Sequence, residues 1–164
     1  MRISSFTVVY DACVLYPAPL RDFLMWLALS GCFRARWSEQ IHAEWKRNLL
    51  RNRPDLSAAQ LDRTSTLMND AIPDSLVCGY EKLIPGLFLP DPDDRHVLAA
   101  AIRCGASVIV TFNRKDFRMR HCRSFISKPS IRTSSSTICS IWIRRQLLTR
   151  PGASVRSSSI RNWR

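Results

Sequence analysis

The first clear pattern is the β-branched apolar run "FTVVYDA", halted by an acid at Asp11. A continuous apolar run of this length predicts a buried strand, with Asp11 at its carboxyl edge. In "PLRDFLMWLALS", Leu20, Phe23, Leu24 and Leu27 recur at helical spacing, and Gly31 follows where a helix ends. "CFRARW" predicts a short second strand. Ser38 then caps a helix through "EQIHAEWKRNLL", whose apolar stripe holds Ile41, Trp45 and Leu49, with Glu44 beside it. Pro54 breaks that helix, and Asp55 or Ser57 opens the next. "SLVCGY" predicts a third strand. Asp94 opens the helix "RHVLAAAIRCG", closed by Gly105, and "ASVIVT" is a fourth run of buried-strand type. Strands alternating with helices predict an α/β layer fold around a mostly parallel sheet.

At 164 residues the chain suffices for one compact domain. The apolar stretch before Asp11 is too short for a secretory leader and no later run reaches the length of a membrane span, so a cytoplasmic protein is expected. Six cysteines without a C-x-x-C pair argue against a zinc knuckle or a disulfide framework and for reduced, mostly buried thiols. They are assigned no chemical role. The net charge of +12 suggests nucleic acid until its distribution is considered. Residues 1–117 carry 14 Lys and Arg against 13 Asp and Glu, whereas residues 118–164 carry 11 Lys and Arg, 11 serines and no acid. The basicity belongs to the tail, so residues 1–117 form the informative domain and 118–164 a separate Ser/Arg-rich segment.

Ligands of open parallel sheets bind outside the carboxyl ends of the strands. Asp11 ends the first strand, "TFNRKDF" brings Asn113 and Asp116 to the end of the fourth, and Asp94 begins the helix leading into that strand. Glu44 joins them if its helix crosses the same face. Clustered carboxylates need compensation, and oxygen-only ligands select a hard cation, Mg²⁺ or Mn²⁺. Such an ion can activate water and stabilise phosphoryl charge, so metal-assisted phosphodiester hydrolysis fits.

The segments "VVYDACVLYP", "RWSEQIHAEWKRNL" and "LPDPDDRHVLAAAIRCGASVIVTFNRKDF" resemble the PIN-domain ribonucleases, especially the branch related to bacterial toxin-antitoxin toxins, over about residues 6–117. The resemblance implies a three-layer α/β/α fold, an acidic site at Asp11, Glu44, Asp94 and Asp116, and Asn113 in support. It also implies a Mg²⁺- or Mn²⁺-dependent endoribonuclease acting as a toxin, with an RNA substrate, a small antitoxin that blocks the acidic cleft, and homodimerisation. Asp91 and Asp93 are expected to be exposed loop acids or outer helpers.

Plainer roles stand beside these. Asp11 could simply end a strand, Glu44 could pair with Arg47 on a solvated face, and Asp94 could be an N-cap, a role compatible with ligation. His42 and His96 read as surface or satisfied histidines, Arg21, Arg95 and Arg114 as solvated charges, and Trp26, Trp37 and Trp45 as core. A haloacid-dehalogenase-type phosphatase needs a second Asp two residues after the first, where this chain has Cys13. A PIN-like binding module without activity is the alternative from another class.

The tail lacks the strand and acidic helix with which PIN-like sheets continue, so the C-terminal strand is expected to be missing or replaced. Codons chosen for "SKPSIRTSSSTICSIWI" and read from the third base of the first codon yield an acidic amphipathic segment. A reading-frame change near Phe117 is therefore expected.

Overall fold

The computed structural model describes residues 6–113, Phe117 and the strand 139–142. Strand β1 (Thr7–Tyr10) leads through a short helix α1 (Ala12–Leu15) and helix α2 (Ala18–Leu29) to β2 (Arg34–Arg36). Helices α3 (Glu39–Asn52) and α4 (Ala58–Ala71) follow, then two 3-10 segments (Glu81–Gly86 and Pro92–Asp94), α5 (Arg95–Arg103), β3 (Val108–Thr111) and β4 (Cys139–Trp142). The described strands pair in parallel, in the order β2-β1-β3-β4. This is the PIN-like α/β/α architecture with a central parallel sheet.

The central strands β1 and β3 are buried throughout, as expected for strands covered on both faces. Their register pairs Val8 with Val108 and Tyr10 with Val110. Helix α5 packs on β1 and is buried from His96 to Ile102; its run of alanines lets helix and sheet approach closely. The chain leaves β1 toward β2 on one side and returns to β3 on the other. The order therefore reverses between β1 and β3, and a crevice is expected at their carboxyl ends.

Helix starts follow the sequence. The Ser38 side chain accepts from Ile41 N, and Ser57 forms a reciprocal capping box with Gln60. Gly31 and Gly105 take the positive φ values of 76° and 62° past the ends of α2 and α5.

Several expectations need correction. "SLVCGY" contributes only an isolated parallel bridge, Trp37 with Leu76, because the segment leaves the sheet after that contact. On α2 the core takes Leu20 and Leu24, while Phe23 and Trp26 are 52% and 64% exposed. The stripe is narrower than spacing suggested because α2 lies at the periphery. Among the described cysteines, Cys13 and Cys104 are half-buried and Cys32 and Cys78 exposed, all of them free thiols. The expectation of a missing or replaced strand holds in its second form: β4, from the tail, pairs with the edge of β3.

Candidate active site

Asp11 follows β1 immediately, and its backbone N–H still donates to Val110 O of β3 at 3.1 Å. Its side chain is held at the ends of β1 and β3 by its own contacts, and the residue is only 3% exposed. Its Oδ2 accepts from Thr111 Oγ1 at 2.6 Å and from Cys13 Sγ at 3.0 Å. Burial pushes the Asp11 carboxyl above the usual carboxylate range; the Thr111 and Cys13 donors pull it back, and the charge of Glu44 raises it further.

The surrounding groups are held in sequence. Thr111, the last residue of β3, donates to Asp11 and accepts from Asn113 N at 2.8 Å. The Asn113 amide then donates from Nδ2 to Asp94 Oδ2 at 2.5 Å. Cys13 accepts from Phe112 N at 3.2 Å, and burial followed by the Asp11 charge pushes its thiol well upward. It therefore stays neutral and can donate to Asp11. Glu44, on α3, is half-buried and places Oε2 3.2 Å from His96 Nε2 on α5.

The structure thus links three of the expected acids. Asp11 and Glu44 interact electrostatically, and Asp94 is tied to Asp11 through Asn113 and Thr111. Asp94 occupies the N-cap position of α5, as its position in the sequence predicts, but makes no side-chain cap bond. Asp91 and Asp93 are exposed, and Asp91 Oδ1 accepts from Asp93 N at 2.9 Å to close the turn before α5. Asp116 and Arg114 lie outside the described residues.

Other side chains follow expectation only in part. His42 takes the satisfied reading, buried with both ring nitrogens bonded, whereas His96 is buried with only Nε2 engaged among the described residues. Arg21 is buried too, donating to Leu15 O at 3.0 Å with its guanidinium 5.0 Å from the centre of the Trp45 ring, so it is no solvated charge. Sequence reasoning missed Cys13, Thr111 and His96 as members of the site. Their only signal was proximity to expected positions: two after Asp11, two before Asn113 and two after Asp94.

The donor set can be tested against a hard cation. Carboxylate oxygens suit Mg²⁺ or Mn²⁺, and Asp11 is buried beside a second acid, with no cation among the described residues that set its charge. Among the described residues, no three His, Cys, Asp or Glu side chains are gathered as a metal site. The chemistry fits, with Asp11 and Glu44 as the nucleus of the set.

Residues 7–115 match the sequence profile of the PIN domain. The chain belongs to the PIN-domain family. A solved structure described as VapBC2 from Rickettsia felis bound to a DNA fragment from their promoter is similar at a TM-score of 0.46 and 14% identity, over 83% of this chain and 99% of that one. Comparison with curated proteins finds no match. The PIN match includes Asp11, Glu44, Asp94 and Asn113, ends just before Asp116, and stops close to the compositional break at Phe117.

Proposed function

We propose that this PIN domain is a Mg²⁺- or Mn²⁺-dependent endoribonuclease and the toxin of a toxin-antitoxin pair. The observation that carries the reading is the buried Asp11 carboxylate at the β1–β3 crevice, in the field of Glu44 and with no cationic partner among the described residues. Two acids held this way favour a divalent ion over mutual repulsion. Asp11, Glu44, Asp94 and Asp116 would hold the ion, which when bound supplies Lewis-acid stabilisation of the phosphoryl charge. Thr111 and Cys13 fix one oxygen of Asp11, and Asn113 fixes one oxygen of Asp94, so the carboxylates are oriented before substrate arrives.

The proposal extends to an RNA substrate, a cytoplasmic setting, a small antitoxin that covers the acidic crevice, and a homodimer. Among the described residues no helix is long and apolar enough to cross a membrane. A second reading, a PIN-like module that binds RNA or protein without cleaving, is favoured by one observation: the described acids do not by themselves gather into a three-ligand site. Incubation of the purified chain with RNA, with Mn²⁺ or Mg²⁺ and with chelator, decides between them. Metal-dependent internal cleavage lost in Asp11→Asn supports the nuclease. Retention of RNA without cleavage in either metal supports the binding module.

A further inference from the structure

We infer that His96 is a positioning residue that orients the Glu44 carboxylate toward Asp11, a role that rests on the nuclease reading above. His96 is 4% exposed, and its Nε2 lies 3.2 Å from Glu44 Oε2. Its other ring nitrogen, Nδ1, is buried with no hydrogen-bond partner among the described residues. These two facts fix where the proton belongs. With the proton on Nε2, the ring donates to Glu44 and leaves only a lone pair at Nδ1. The opposite tautomer would bury an N–H without an acceptor and set a nitrogen lone pair against a carboxylate oxygen.

The fold makes this contact rigid at one end. His96 sits in the first turn of α5, the helix buried against β1, so its ring cannot swing to solvent without disturbing the core. Glu44 is a long side chain at the edge of the α3 stripe with a side-chain exposure of 22%, and it loses rotamer freedom when one oxygen is anchored. The ring thus holds a carboxylate that already acts on Asp11. Histidine and carboxylate pairs that orient ligands from outside a metal site commonly change metal affinity about 10- to 100-fold.

The test uses the full chain, Mn²⁺ titration by calorimetry, RNA cleavage, and nitrogen NMR of the histidine rings. His96→Leu is expected to weaken Mn²⁺ binding about 10- to 100-fold and to lower kcat more than it raises KM. His96→Gln, whose amide reaches the Nε2 position, is expected to restore most of both. In a Glu44→Gln background, His96→Leu should have little further effect on Mn²⁺ binding, because the residue through which it acts has lost its charge. NMR of the metal-free protein should show the His96 proton on Nε2. Wild-type Mn²⁺ affinity in a folded His96→Leu, no recovery with His96→Gln, an undiminished effect in the Glu44→Gln background, or a proton on Nδ1 would each overturn the role. Failure of the wild-type chain itself to bind millimolar Mn²⁺ would overturn the nuclease reading and this role with it.

Discussion

Two buried polar clusters of this domain solve the same problem in opposite ways. Between α3 and α4, Trp45 Nε1 donates to His42 Nδ1 at 3.0 Å, His42 Nε2 lies 3.1 Å from Asn69 Oδ1, and Trp37 Nε1 donates to that same oxygen at 2.8 Å. Every bond here joins a neutral donor to a neutral acceptor. The tautomer is fixed, because Nδ1 accepts and Nε2 must therefore donate. At the β1–β3 crevice, Asp11 also has its donors, yet burial and Glu44 still act against its charge. The first cluster is what a satisfied core looks like. The second retains an electrostatic deficit, burial and Glu44 acting against the Asp11 charge, which is the feature that supports the proposed metal site.

The comparison can be broken by experiment, starting with the largest effect. Asp11→Asn is expected to lower metal-dependent RNA cleavage by at least about 100-fold with a nearly unchanged circular-dichroism spectrum; cleavage at the wild-type rate would remove the assigned site. In the neutral cluster, His42→Leu should destabilise the fold by about 2–4 kcal/mol, since the Trp45 indole N–H loses its acceptor and the Asn69 oxygen a donor. Denaturant melts measure this, and a loss under about 0.5 kcal/mol would show that the cluster is slack.

Without metal, Asp11→Asn should instead stabilise the protein, raising Tm by roughly 2–8 °C as the buried charge is removed. A fall in Tm would mean that the ionised carboxylate is well compensated by its two donors. The two clusters should differ in acid as well. Burial holds the His42 imidazole below its ordinary value of 6.5. A depressed folded value means that its contribution is complete above about pH 6.5 and is lost as pH falls toward the folded value, since the unfolded chain takes up the proton first. In chelator, that slope should vanish in His42→Leu; an identical slope would assign it elsewhere. Smallest of all, Trp26→Ser on the exposed face of α2 should change stability by no more than about 0.5 kcal/mol.

The buried strands β1 and β3, the capped starts of α3 and α4, and the glycine ends of α2 and α5 were legible because each depends on neighbours close in sequence. The same local reading overstated "SLVCGY" and the apolar face of α2, since burial of Phe23 and Trp26 depends on what packs against them. Apart from β4, the tail remains a compositional argument. We propose that residues 118–164 follow a change of reading frame, and the nucleotide sequence across codon 117 decides it: early stop codons in the shifted frame would sink the idea.

The sequence by itself determined which acids are available, Asp11, Glu44 and Asp94, and that Asp11 stands at a strand end. Which partners they take was decided by the tertiary structure. Thr111 reaches Asp11 across 100 residues and His96 reaches Glu44 across 52, contacts that exist only because parallel β1 and β3 align their carboxyl ends and α5 lies against the sheet. Hydrogen bonds and desolvation act over a few ångströms of space whatever the separation along the chain, so the polarity of a residue can be read locally while its burial and its partner cannot.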